Sequence, residues 1–116
     1  MNSPIRIQRK PLSINEAYTG RRFKTDAYKS FTRDMLNLLP KKVDLPEPPY
    51  HIIFTFGLSS ANADWDNSVK TCQDLIATKY KFNDKLIHKG TVEKILVPKG
   101  KEFAEFQILH HNHLPK

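Results

Sequence analysis

The residues best suited to chemistry are Asp64 and Asp66, one residue apart in Asp64-Trp65-Asp66-Asn67-Ser68-Val69-Lys70, with an isolated Asp84 further on in Phe82-Asn83-Asp84. Carboxylate oxygens are what hard divalent cations take. Mg2+ is usually held by a few of them while it keeps waters that a substrate can displace. In an extended approach to a helix, residues two apart project to the same side, so both carboxylates could face one ion. Lys70 lies one helical turn beyond Asp66 on the same helix face, and Asp74 lies one turn further, where it could hold the lysine in place. Asp84 joins the group if the chain turns back towards the helix or sheet edge. A plainer account stays open beside this one. Asp-x-Asp before a helix also reads as a cap with an exposed neighbour, Asp66 and Lys70 as a solvated helix pair, and Asp84 as part of a turn.

The elements that must position these residues follow from periodicity. Pro4–Gln8 alternates and reads as a short strand, and Lys10–Asn15 as a loop. A helix is predicted from Thr25, a good N-cap with Asp26 in the first turn. Its apolar stripe is Tyr28, Phe31, Met35, Leu38 and Leu39, and it ends at Pro40. A proline-rich connection spans Lys41–Pro49. Tyr50–Phe56 is the densest β pattern in the chain, and Gly57–Ala63 reads as a small-residue loop into the acidic motif. A second helix is predicted from Asp66 or Asn67 to about Tyr80, burying Val69, Cys72, Ile76 and Tyr80. Phe82–His88 reads as a turn with room for one short helical turn in it. Val92–Val97 and Phe103–Leu109 read as a hairpin around Pro98-Lys99-Gly100-Lys101. The order β-α-β-α-β-β predicts one small α/β domain, or α+β, over residues 1–109, with a mixed sheet and two main helices. Residues 110–116 read as a disordered tail.

Composition narrows the chemistry. Nineteen Lys and Arg against twelve Asp and Glu give a formal net charge of +7 over 116 residues. That balance favours nucleic acid or an anionic surface as partner. With an acidic pocket set in it, a basic protein suggests a metal-dependent enzyme acting on a polyanion. No apolar run approaches the roughly 20 residues of a membrane span. The start lacks the apolar core of a signal peptide, and the single Cys72 can form no internal disulfide, so a reducing cytoplasm is the expected compartment. A chain this small buries only about two-thirds of its unfolded surface, and dimerisation would help.

The motif also resembles a known family. Asp64-Trp65-Asp66-Asn67-x-x-Lys70, then Asp74, then Asn83-Asp84-Lys85-x-Ile87, is similar to the signature of RusA-type Holliday junction resolvases, where an Asp-x-Asp-Asn-x-x-Lys stretch opens a helix and an Asp-Asp pair follows it. Pro11-Leu12-Ser13-Ile14-Asn15 resembles the family's Pro-Pro-Ser-x-Asn loop, and Ala27-Tyr28-Lys29 its Ala-Tyr-Arg. The pattern departs at Asn83, where the family carries an acid, and at Leu12, where it carries a proline. The resemblance implies a Mg2+-dependent endonuclease, with Mn2+ as a substitute, that acts as a homodimer on four-way DNA junctions in recombination and repair. It makes Asp64, Asp66 and Asp84 the metal carboxylates and Lys70 the essential cation. Two other classes remain open: a non-catalytic basic DNA-binding module, and a nuclease for other branched or single-stranded DNA.

Candidate DNA contacts are Lys10, Arg21, Arg22, Lys24 and Lys29, with Lys79, Lys81, Lys85 and Lys89 after the second helix. Phe23 could stack on an unpaired base, but an aromatic here is expected to pack inward. Trp65 either walls the site or enters the core. His110, His111 and His113 lie at a terminus without a companion cysteine and read as tail rather than zinc ligands. Cys72 reads as a small core residue.

Overall fold

The computed structural model describes residues 3–20 and 23–112. Ile5–Ile7 forms β1, whose alternation turns Ile7 into the core and Arg6 outwards. The loop after it contains a short helix, α1 (Ile14–Ala17), capped by the Ser13 side chain, which accepts from the Asn15 N–H. A two-stranded ribbon follows, β2 (Tyr18–Thr19) with β3 (Phe23–Lys24). Neither α1 nor the ribbon has the length to show a period in the sequence. Helix α2 (Asp26–Leu38) begins as predicted, with Thr25 Oγ1 accepting from the Tyr28 N–H at 3.1 Å. Phe31, Met35 and Leu39 are buried, whereas Leu38 is 53% exposed and does not belong to the stripe.

The central strand is β4 (Tyr50–Leu58), two residues longer than expected. Gly57 continues it because the buried Phe103 ring lies where a Cβ would be. Helix α3 (Val69–Lys79) starts at Val69 with Ser68 at the cap position, so Asp66 and Asn67 do not cap it as expected. They lie in the preceding turn, where the Val69 N–H reaches the Asp66 carbonyl at 3.2 Å. A single 3-10 turn, Asp84–Leu86, leads into β5 (Ile87–Leu96), which begins five residues earlier than the predicted strand; β6 (Phe103–His110) completes the sheet.

The sheet order is β1-β6-β4-β5, with β4 parallel to β5 and antiparallel to β6. The predicted hairpin is therefore overturned: β5 and β6 do not pair but flank β4. The strand richest in β-branched and aromatic residues takes one of the two interior places, with a neighbour on each edge. Ile52, Phe54 and Phe56 of β4 point into one apolar cluster with Phe31 and Met35 of α2 and Cys72 and Ile76 of α3. The helices thus cover one face of a mixed sheet, and the architecture is a small mixed α/β domain. The other face carries Arg6 paired with Glu105 at 3.0 Å, and the Arg6 guanidinium lies 3.8 Å above the Phe103 ring. His110 ends β6, its Nδ1 2.7 Å from the Glu47 carbonyl, and the His111 N–H donates to the Pro49 carbonyl, so these two are tied to the end of the sheet by hydrogen bonds rather than belonging to a tail. His113 and the residues after it lie outside the described residues. No helix among the described residues is long and apolar enough to cross a membrane.

Candidate functional site

Two segments of the sequence motif meet at the start of α3. The Ile14 N–H donates to the Asn67 carbonyl at 2.7 Å, and Thr71 Oγ1 donates to the Leu12 carbonyl at 2.7 Å. The Pro11–Asn15 loop is thereby tied to the turn that carries Asp64 and Asp66. A third tether was not legible in the sequence. Lys94 of β5 reaches the loop before Asp64, where its ammonium donates to the Ala61 carbonyl at 2.9 Å and to the Ala63 carbonyl. Asp64 itself accepts from Asn67 Nδ2 at 3.3 Å. It lines a cavity of about 310 Å3 with Lys10, Ser13, Asn15, Glu16 and Asn62. Amides, hydroxyls, an ammonium and two carboxylates make this a polar cleft.

Asp66 and Lys70 open onto a different groove, floored by Val69 and Gln73 of α3 and by Gly90 and Val92 of β5. Trp65 forms its rim, 55% exposed, and so walls the groove rather than entering the core. Lys70 does not pair with Asp66. Its Nζ donates to Asp74 Oδ1 at 3.0 Å, the arrangement that places Asp74 one turn beyond the lysine as a holder. Asp84 returns to this neighbourhood, sharing a shallow depression with Asp74. The hydrogen bond and charge of Asp74, with the charge of Asp84 behind them, hold the Lys70 ammonium above the ordinary lysine pKa. Asn83 has a local duty where the resembled pattern has an acid: its side-chain oxygen accepts from the Lys85 N–H at 2.9 Å and caps the 3-10 turn.

Tyr18 and Tyr28 stand on the same side, with ring centroids 5.5 Å apart, and the Lys24 ammonium lies 4.9 Å from the centre of the Tyr28 ring. Burial, then the neighbouring Tyr18, pushes the Tyr28 phenol up, and the Asp74 and Lys70 charges act on it with opposite signs. Tyr28 packs against the core cluster, as its helical spacing predicts, while only half-buried.

The metal expectation meets a geometric limit. Among the described residues no three His, Cys, Asp or Glu side chains are grouped so as to hold a metal ion. Asp64 faces one cavity, Asp66 another and Asp84 a third, so this arrangement does not fit a three-carboxylate cage.

Neither a protein-family model nor a curated protein matches the chain.

The basic residues are spread over several parts of the surface. Lys10 lines the cleft beside Asp64, and Lys24 and the exposed Lys29 lie on the β3–α2 side. Lys79 and Lys81 border a second groove with Lys41 and Lys42, two lysines that the sequence reading assigned only to a connection. Lys85 and Lys89 are exposed. Arg21 and Arg22 lie outside the described residues. Phe23 is 75% exposed, which overturns the inward packing expected of it. A ribbon only two residues per strand has no second layer to bury it. Cys72 is fully buried and its thiol is pushed up to about 12 by burial, in keeping with a core role.

Proposed function

We propose that the chain is a structure-selective endodeoxyribonuclease of the Holliday-junction-resolvase type, cutting four-way DNA by paired nicks as a Mg2+-dependent homodimer. The observation that carries this reading is the hydrogen-bonded seam between the Pro11–Asn15 loop and the stretch from Asp64 to Thr71. The two segments that resemble the family at separate places in the chain are neighbours in space, bonded through Ile14 to Asn67 and Leu12 to Thr71. Asp64, Asp66 and Asp84 are the acids of the site, and Lys70 is the cation. Lys70 is exposed enough to reach a phosphate, and charge building up on a phosphodiester oxygen in the transition state is what a fixed ammonium stabilises. Since the carboxylates of one chain do not converge, no step is assigned to a metal. The +7 charge and the lysines of both grooves supply the attraction for a DNA backbone. A reducing cytoplasm suits the one buried thiol.

A labelled four-way junction incubated with and without Mg2+, and with Mn2+ in its place, tests the reading directly. Paired nicks on opposing strands that require the metal are the expected result. Asp66→Asn should lose cleavage while keeping or tightening junction binding, because the amide removes a carboxylate charge that both attracts a cation and repels phosphate. Near wild-type cleavage by that variant would remove Asp66 from the site.

A second reading has an observation of its own. Lys70 is engaged with Asp74 and the acids are dispersed, as they would be in a basic DNA-binding module without catalysis. Tight, salt-sensitive junction binding with no nicking under any divalent cation would favour it. Cleavage of flaps or single strands in preference to the four-way junction would instead point to a nuclease for other branched DNA.

A further inference from the structure

The longest strand of the molecule is left with one side unpaired. β5 runs ten residues and, among the described residues, pairs only with β4. Among the described residues no loop or other element places a backbone hydrogen bond on its outer edge between residues 88 and 96. Open edges of this length are usually guarded by charged side chains, a proline, a bulge or a covering segment that stops another strand from docking. Here Lys94 is drawn inwards to the Ala61 and Ala63 carbonyls. The charges left along the edge are Lys89 and Glu93, equal in number, opposite in sign and without a salt bridge among the described residues. Between them stands Thr91, whose hydroxyl bonds His51 Nε2 at 2.8 Å on the sheet face away from the helices. Lys89, Thr91 and Glu93 alternate onto that same face.

We propose that this edge is the dimer interface, with β5 of one chain pairing antiparallel to β5 of a second copy about a two-fold axis through Thr91. In an isologous contact residue i meets j and j meets i. Centring on Thr91 sets Lys89 opposite Glu93 of the partner subunit and Glu93 opposite Lys89 of the partner subunit, two favourable cross-strand pairs. Centring on Glu93 or Lys94 would put like charges on the axis, and centring on Gly90 or Val92 forms no charge pair. Two four-stranded sheets would join into one. Three of the exposed large apolar side chains lie on or beside this strand, Ile95, Leu96 and Trp65, and give the seam apolar flanks. Lys89 then serves the seam rather than DNA. The inference names an interface for the dimer of the proposed function. Its test reads assembly and register, not cleavage: a dimer that lacks the Thr91 register sinks the inference and leaves the nuclease reading standing, and a junction left uncut sinks the nuclease reading and leaves the interface standing.

Sedimentation of the full chain measures assembly, and cross-linking fixes the register. Residues facing each other across an antiparallel pair have Cα atoms about 4.5–5.5 Å apart, inside the roughly 4.4–6.8 Å span of a disulfide. Thr91→Cys should therefore give a disulfide-linked dimer under mild oxidation, with Cys72 buried and out of reach. Lys89→Glu and Glu93→Lys should each raise the dimer dissociation constant about tenfold or more, since each sets two like-charge pairs in the seam. The K89E/E93K double exchange should restore it. These are exposed side chains, and the double exchange separates a lost interface from a damaged fold. A chain that sediments as a monomer at high micromolar concentration overturns the proposal. So does a dimer in which Thr91→Cys forms no link, or one indifferent to the single reversals, or one not restored by the exchange.

Discussion

Lys70 is the residue on which the chemistry turns, because its partner can be read in two ways. Bound to Asp74 and exposed, it could be one half of a solvated i,i+4 pair, worth less than about 1 kcal/mol of stability. Under the charge of Asp84 as well, it could be a cation held ready for phosphate. Lys70→Ala distinguishes the two. If the lysine acts in the transition state, single-turnover cleavage should fall about 10²–10³-fold. Junction affinity should change far less, since only differential binding accelerates chemistry. An unchanged rate would leave Lys70 as scaffold. At this scale the sequence was informative where a residue acts through its immediate neighbours: Asp74 as the holder of Lys70 and Cys72 as core both follow from helical spacing. It was silent on Lys94, which steadies the Asp64 loop from thirty positions away, because no local period links a strand residue to the carbonyls of a distant loop. It misjudged Phe23 because burial statistics describe aromatics in general, not one on a ribbon with nothing above it.

Among the elements, the two long helices and β4 were legible because each repeats its period several times. The misassigned parts were short or decided by partners. The start of α3 slipped two or three residues because Asp66 and Asn67 are good caps by type, yet here they serve the turn. The supposed β5–β6 hairpin failed because Pro98–Lys101 looks like a tight turn although the connection carries the chain from one edge of β4 to the other. The far end of β4 shows what decides such matters. Gly57 lies under Phe103, which is covered in turn by the Arg6 guanidinium. A methyl at Gly57 would run into that ring. Gly57→Ala should therefore cost about 1–3 kcal/mol, the usual penalty of overfilling a packed site. Urea denaturation of the variant beside the wild type measures it, and an unchanged midpoint would mean that the ring and Arg6 move aside freely.

For the whole molecule, charge is the property that composition predicted most directly and that the fold then distributes. Lys10 of the Asp64 cleft and the lysines of the Lys41–Lys81 groove are separate stretches of surface, so a bound duplex or junction should neutralise several phosphates at once. The logarithm of junction affinity should then fall linearly with the logarithm of salt concentration, with a slope of about −0.9 per phosphate contacted. Replacing Lys41 and Lys42 by alanine should make that slope shallower by up to about two. An unaltered slope would take the second groove out of the DNA footprint. Nothing in the linear order announced that groove, since Lys41–Lys42 and Lys79–Lys81 become neighbours only when α2 and α3 pack side by side. The same packing leaves the chain's single indole at the mouth of the Asp66–Lys70 groove, half in water. All tryptophan emission from this protein therefore originates beside the two residues whose roles are most in question. Ligand entry, ion binding and strand pairing along β5 can each be followed there by light, on the unmodified chain.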